Sequence, residues 1–269
     1  MASERSRDRI QSIERGVEVL RAFGGHDASL SVAGVAARVG LSRPVVRRIL
    51  LTFEHLGYAV AHNGQWSLTP RILELGAGYF QRSSLPEVAH PFMADVVEKT
   101  GETCSLGVLD DGDVIHVARA EHRRLLSEAV HVGGRLPAHA TAIGKVLLAS
   151  LPDRDLTRYL SKAPLEQHTP HTLTDAGRLR ERLEVVRSEG YDISIEELYP
   201  GMVAVAVPII VGDGAVGGIT VSSTTVRETE DSLRDVVVPV LRDAAAGIAA
   251  AYRNANPQLF RSSPRTVGA

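Results

Sequence analysis

Three residues, Gly40-Leu41-Ser42, separate two amphipathic helical patterns, and this spacing constrains the chain more than any other feature of its sequence. Before them, Val32, Val35, Ala36 and Val39 recur at helical spacing, with Ser31 placed to cap the helix and Gly40 where a left-handed C-cap belongs. After them, Ser42 stands at a second N-cap and Pro44 falls in the first turn, where a missing N–H costs little. Val46, Ile49, Leu50, Phe53 and Leu56 then form an inward stripe that ends at Gly57. Two helices joined by so short a turn must cross, as in a helix-turn-helix. Upstream, Ile13, Val17, Leu20 and Phe23 predict a further helix, stopped by Gly24-Gly25. Downstream, Asn63-Gly64 between short strands at 58–61 and 65–68 is a strong hairpin signal. Three helices and a hairpin in this order predict a winged helix-turn-helix over residues 10–70.

The second helix of the pair carries Arg43, Arg47 and Arg48 beside its apolar stripe. Arg43 and Arg47 are four apart and share a face. In a helix-turn-helix the N-terminal half of this helix enters the DNA major groove, where arginine reaches guanine edges bidentately or binds phosphate. The helix N-terminus at Ser42 adds N–H groups suited to a phosphate. His62, Asn63 and Gln65 would ride the wing, and Arg5, Arg7 and Arg9 form a basic N-terminal arm. The expected DNA-binding set is Ser31, Ser42, Arg43, Val45, Val46, Arg47, Arg48, His62 and Asn63. Charge is divided in the same sense. Residues 1–83 hold 11 arginines and no lysine against 7 acidic residues, a balance of +4, and residues 84–269 hold 19 basic against 25 acidic residues, a balance of −6. A small basic head on a larger acidic part fits a DNA-binding domain joined to a second domain.

Residues 71–85 continue at helical spacing through Ile72, Leu75, Gly76 and Tyr79, which predicts a helical linker. Pro86 then opens a helix with Val88, Phe92 and Val96. The remainder, residues 86–255, mixes strands and helices. "TCSLGVLDDGDVIHVARA" predicts a hairpin, "LLSEAVHV" a further strand, and "HATAIGKVLLASL" a helix rich in small residues. A second helix should run from a Thr174 cap to Gly190, strands flank "GDG", and a last long helix spans about 229–253. Strands joined by hairpins, with the helices kept apart from them, imply a mainly antiparallel sheet and an α+β fold. Residues 256–269 are polar and are expected to be a disordered tail.

Several enzyme and cofactor motifs fail on context. Gly212, Gly214 and Gly217 satisfy a dinucleotide spacing, but a strand follows where a helix is required. "AIGKV" ends like a phosphate loop, yet His139 and Val146 stand where glycine and Ser/Thr belong. His168 and His171 have no third ligand nearby in sequence, so no metal is expected. The single cysteine, Cys104, builds no disulfide framework, and no leader-like segment opens the chain, so a cytoplasmic protein without a membrane anchor is expected. No catalytic or cofactor-binding constellation stands out.

The segments "SIERGVEVLRAF", "LSVAGVAARVGLSRPVVRRILLTFEHLGYA" and "WSLTPRILELG" closely resemble the head of IclR-family transcriptional regulators. "GGRLPAHATAIGKVLLA" and "GYDISIEELYPGMVAVAVPI" look like the two signature stretches of that family's effector domain. The resemblance covers about residues 10–255, and within the family it is nearest to the regulators of protocatechuate, 4-hydroxybenzoate and β-ketoadipate catabolism. It implies a GAF-like effector domain and a linker that helps pair two heads. It also implies effector contacts at Leu125, Leu136, Ala142, Ile143, Ser194, Met202, Ala204, Thr220 and Ser222. Many members carry cysteine at the Ala204 position; alanine here argues against a glyoxylate- or pyruvate-type effector. Arg119, Arg135 and His139 are added as partners for an aromatic carboxylate, because arginine binds a carboxylate bidentately.

The expectation is a homodimeric or homotetrameric regulator of a catabolic operon. It would bind palindromic double-stranded promoter DNA and sense a small organic acid, an aromatic acid or a ring-cleavage product. The rivals are an effector-independent DNA-binding or interaction module, and a small-molecule-binding enzyme with a helical dimerisation head.

Overall fold

The computed structural model describes residues 9–24, 27, 29–80, 84–121 and 131–259, in two units that divide after Phe80. The first is built on α1 (Gln11–Arg21), β1 (Leu30–Ser31), α2 (Val32–Val39), α3 (Arg43–His55), β2 (Ala59–His62) and β3 (Gln65–Leu68). Local sequence dictates most of these boundaries. Ser31 Oγ accepts from the Gly34 N–H at 3.1 Å, and α2 ends at Gly40 with φ +66°. Asn63 (φ +51°) and Gly64 (φ +76°) close the β2–β3 hairpin with both central residues left-handed, the combination a two-residue hairpin favours. β3 also pairs with β1, Leu30 opposite Trp66. Val19, Val35, Val46, Leu50, Ala59 and Trp66 fill one small core.

The expected helical linker is present, in its described part, as 3-10 rather than α-helix. Pro70–Leu75 and Ala77–Phe80 are two 3-10 turns, and Gly76 stands between them. Leu73, Leu75, Tyr79 and Phe80 are exposed there. Tyr79 and Phe80 meet edge to face with ring centroids 5.3 Å apart, and Leu75 lines a groove beside α1.

The second unit opens with α4 (Leu85–Thr100), capped by Ser84 and carrying Pro86 in its first turn. Then come β4 (Thr103–Asp110), β5 (Asp113–Ala120), β6 (Arg135–Pro137), α5 (Ala142–Ala149), α6 (Asp153–Lys162) and α7 (Ala176–Glu189). β7 (Asp192–Ile195), β8 (Met202–Val211) and β9 (Gly214–Thr224) follow. Last come α8 (Glu230–Ser232), a π-helical stretch at Leu233–Val237 and α9 (Val238–Ala255). The strands form one antiparallel sheet in the order β6-β5-β4-β9-β8-β7. The "GDG" sequence makes the β8–β9 hairpin, with Val211 opposite Gly214. The α7 cap is Asp175, which accepts from the Arg178 N–H at 2.8 Å, one residue past the Thr174 expected. The strand expected in "LLSEAVHV" and the tail beyond Leu259 fall largely or wholly outside the described residues.

Alternation along the strands divides the sheet between two cores. Cys104, Leu106, Val203, Val205, Ile219 and Val221 face α4 and α9. Val114, Ala204 and Ala206 face α5 and α7. The second contact is close. A β-carbon on Gly144 of α5 would overlap the backbone carbonyl of Ala138, and one on Gly218 of β9 would lie 2.9 Å from Ile143 Cγ1. Gly144 therefore lets α5 meet the preceding turn, and Gly218 lets it lie directly on the sheet. No helix among the described residues is long and apolar enough to cross a membrane.

Candidate nucleic-acid interface and ligand cavity

On α3, Arg43, Arg47 and Arg48 are all exposed. Among the described residues none of the three pairs with a carboxylate, whereas Arg38 is held by Asp27 and Arg71 lies beside Glu74. Three solvated guanidinium groups on one helix, with no partner to neutralise them, leave a basic surface at the N-terminal half of that helix. Ser42 is exposed at the N-cap and makes no capping bond with its own helix, so its hydroxyl is open to a phosphate. His62 and Asn63 are exposed at the tip of the wing, where His62 Nε2 and Asn63 Nδ2 lie 3.2 Å apart.

Not every expected contact residue faces outward. Val46 is fully buried among Val35, Leu50 and Trp66; it belongs to the core, and its place in the binding set is corrected. The inward stripe of α3 needs that position, and a side chain cannot serve both faces of one helix. Ser31 Oγ is occupied by the α2 cap. Val45 is half-buried and lines a groove along α1 with Arg48. Arg5 and Arg7 lie outside the described residues, and Arg9 pairs with Glu14.

In the second unit a cavity lies between the sheet and the N-terminal end of α5. It is narrow: the space inside it open to a water-sized sphere is about 30 Å³. Strand register explains its lining. One row across the sheet reads Ser194, Ala204, Ser222, Thr103, and the next Ala206, Thr220, Ser105, Arg119. Leu136, Ala142, Ile143, Ser194, Met202, Ala204, Thr220 and Ser222, eight of the positions expected to contact an effector, line this cavity together. Leu125 lies outside the described residues.

Three expected polar partners are engaged elsewhere. His139 is buried but does not line the cavity; its Nε2 lies 2.9 Å from the Glu166 carbonyl oxygen, and its ring packs 5.8 Å from that of His168. Burial lowers its pKa. Arg135 donates to Asp110 at 2.6 Å and to Asp113 at 3.1 Å, clamping the β4–β5 turn. Arg119 shares the cavity's sheet face by register, yet its Nε donates to Glu121 at 2.6 Å and it is not among the lining residues.

The cavity contains polar groups that sequence reasoning did not single out. His116 on β5 is 3% exposed, and neither of its ring nitrogens has a hydrogen-bond partner among the described residues. Burial, reinforced by the nearby charge of Arg119, brings its pKa down to about 4, so the ring is neutral at pH 7. Glu197 enters from the loop after β7. Its Oε1 accepts from Lys145 Nζ, while Oε2 is buried and has no partner among the described residues. Lys145 is wholly buried on α5 and is also 3.2 Å from Asp192, which accepts from Arg182 Nε at 2.7 Å. The alternation of "DVIHVARA", which puts Val114 and His116 on one face, was the available signal for the histidine. Glu197 lies in the quoted signature "IEELYPG" but on a loop, where no periodicity points to it.

Among the described residues no group of three or more His, Cys, Asp or Glu side chains could hold a metal ion. Cys104 is buried, and burial pushes its thiol up to about 12. The polar groups that do face empty space are a neutral imidazole, a carboxylate and several hydroxyls beside a helix N-terminus, a mixed set of hydrogen-bond donors and acceptors.

Comparison with known proteins agrees in both units. Residues 12–62 match the IclR helix-turn-helix domain, and residues 77–250 match the bacterial transcriptional regulator IclR C-terminal domain. The chain is 36% identical over 247 residues to the p-hydroxybenzoate hydroxylase transcriptional activator of Acinetobacter baylyi, covering 90% of this chain and 91% of that protein. It is 34% identical over 240 residues to the Pca regulon regulatory protein of Pseudomonas putida, covering 88% and 82%. A crystal structure of an IclR homologue from Microbacterium hydrocarbonoxydans complexed with 4-hydroxybenzoate matches with a TM-score of 0.78 at 27% identity, over 90% of this chain and 99% of that one. The reading of the head as the dimerisation arm of an enzyme is thereby set aside: this chain belongs to the IclR family of bacterial transcriptional regulators.

Proposed function

We propose that this regulator binds palindromic promoter DNA through the exposed face of α3 and responds to an aromatic acid of the 4-hydroxybenzoate type. Arg43 and Arg47 would contact bases or phosphates in the major groove, Ser42 and Arg48 the backbone, and His62 and Asn63 the neighbouring backbone or minor groove. Two half-sites read by one protein call for two heads, so the working form is a homodimer or a dimer of dimers acting in the cytoplasm. The effector would lie in the cavity against Ala142 and Ile143, whose N–H groups begin α5 and have no intrahelical partner. Its ring would lie beside the small side chains of Ala142 and Ala204, the narrow cavity widening to admit it.

The observation that carries this reading is the convergence of eight expected contact positions on one cavity. Relatives named for p-hydroxybenzoate and Pca regulation, and a homologue holding 4-hydroxybenzoate, support the effector class. Binding would bias the placement of the paired heads and so alter operator affinity.

Fluorescence anisotropy with the DNA flanking this gene tests both parts. Salt-sensitive binding, tighter than to random DNA and changed by 4-hydroxybenzoate, is expected. Binding equal to that of random DNA, or insensitivity to every aromatic acid, would overturn the corresponding half.

A further inference from the structure

The cavity has two polar ends. His116 belongs to β5 and Glu197 follows β7, and β4, β9 and β8 lie between those strands. The two side chains thus approach the space on one face of the sheet from towards its opposite edges. Each brings a buried polar atom that no described residue satisfies. Such atoms are costly to leave unpaired, and ligand-binding sites are where they are expected.

The two ends differ in chemistry. Glu197 Oε1 is held by Lys145, which leaves Oε2 as an acceptor. A ligand carboxylate would be repelled there, whereas a hydroxyl can donate to it. The loop also fixes the aim of this side chain. Glu196, one residue before, has φ +54°, a left-handed conformation uncommon for glutamate. It is pinned there by Gly201 N–H donating to Glu196 Oε1 at 2.6 Å and by Thr169 Oγ1 donating to the Glu196 carbonyl at 2.6 Å. Thr172 Oγ1 donates to the Glu197 carbonyl at 2.6 Å. At the other end a neutral imidazole supplies one N–H, with the positive charge of Arg119 near enough to act on it.

We propose that Glu197 and His116 determine which acids this regulator accepts: Glu197 Oε2 accepts a hydrogen bond from a ligand hydroxyl, and a His116 ring N–H donates to the ligand carboxylate. This rests on the aromatic-acid reading above and makes it specific. The site takes a monocarboxylic acid with a hydroxyl at its far end and rejects one with a carboxylate at both ends. Lys145 is a positioning residue, holding Glu197 so that one oxygen stays free.

Isothermal titration of the full chain with three probes, 4-hydroxybenzoate, benzoate and terephthalate, tests the assignment. A hydrogen bond to a charged acceptor is expected to favour 4-hydroxybenzoate over benzoate by roughly 10- to 100-fold. Terephthalate, of similar shape with a second carboxylate, should bind more weakly than benzoate. In Glu197→Gln the preference for 4-hydroxybenzoate should collapse towards parity and terephthalate should gain. In His116→Phe both monoacids should weaken together, with their ratio kept. A merely structural role for either residue would not separate these two patterns. An unchanged ratio in Glu197→Gln, or unchanged affinities in His116→Phe, would overturn the assignment and leave the aromatic-acid reading standing. If a variant does not fold, as judged by melting temperature, the wild-type series still decides: terephthalate binding as tightly as 4-hydroxybenzoate overturns the proposal. A wild type that binds none of the three overturns both.

Discussion

Lys145 Nζ stands 3.2 Å from Asp192 Oδ2, with both side chains wholly removed from solvent. Asp192 and Glu197 share the Lys145 amine as hydrogen-bond and ion-pair partners, while Arg182 takes the second oxygen of Asp192. Removing one member leaves buried charge uncompensated. Lys145→Met should therefore destabilise the second unit by about 3–5 kcal/mol, read from urea unfolding. A loss under 1 kcal/mol would mean that solvent reaches the site and that the network is not a dry one.

Gly144 is the point at which α5 meets the turn at Ala138–Ala140. The atom that a Cβ would meet there is a backbone carbonyl, which cannot swing aside. Gly144→Ala is expected to cost about 1–3 kcal/mol through overpacking, even though alanine has the higher helix propensity. The thermal midpoint of the variant checks this, and a rise in midpoint would contradict the close approach.

Acid should weaken the fold through His116. Its folded pKa of about 4 lies below the ordinary histidine value of 6.5, so between those limits the unfolded chain binds a proton that the native state refuses. Stability is unaffected by this group above about pH 6.5, falls as pH drops towards 4, and levels off below. The span corresponds to about 3 kcal/mol as an order of magnitude. Chemical denaturation of wild type and His116→Gln across pH 4–7 should show the slope in the first and a shallower one in the second.

Exposure separates the residues of α3 by role. Arg43→Ala or Arg47→Ala should cost roughly 1–3 kcal/mol of operator binding with the melting curve unchanged. Val46→Ala should instead lower the stability of the head by about 2 kcal/mol, because its methyl groups fill the core. Anisotropy and calorimetry on the same three variants measure both. An Arg43 or Arg47 variant with wild-type affinity would remove that residue from the interface.

The head was largely legible in the sequence because its signals are local. A cap, a C-terminal glycine and an Asn-Gly turn each act within a few residues, and Ser31, Gly40, Asn63 and Gly64 all serve as their types suggest. β1 was not legible: two residues carry no periodicity, and Leu30 becomes a strand because Trp66 is there to pair with it. The linker's helical spacing was legible, but not that Pro70–Leu75 and Ala77–Phe80 would take the 3-10 form. In the cavity, positions given by resemblance came together, but the polar partners chosen for their charge did not. Arg135 and Arg119 satisfy carboxylates of the chain itself, and His139 is turned to a backbone carbonyl. Alternation along β5 gave His116 a face but not its neighbours across the sheet, and Glu197 sits on a loop, where no periodicity points to it. Lys145 looked like the remnant of a failed phosphate loop, and its partners Asp192 and Glu197 lie 47 and 52 residues away.

Strand alternation has a consequence for how such a regulator can change. Val203, Val205 and Val221 support the α4–α9 side, while Ala204, Thr220 and Ser222, their immediate neighbours in sequence, face the cavity. A substitution at one set leaves the other set's surroundings in place. The specificity of this domain can therefore drift one side chain at a time on an unaltered scaffold, and a lineage can exchange one acid for another without passing through an unfolded ancestor.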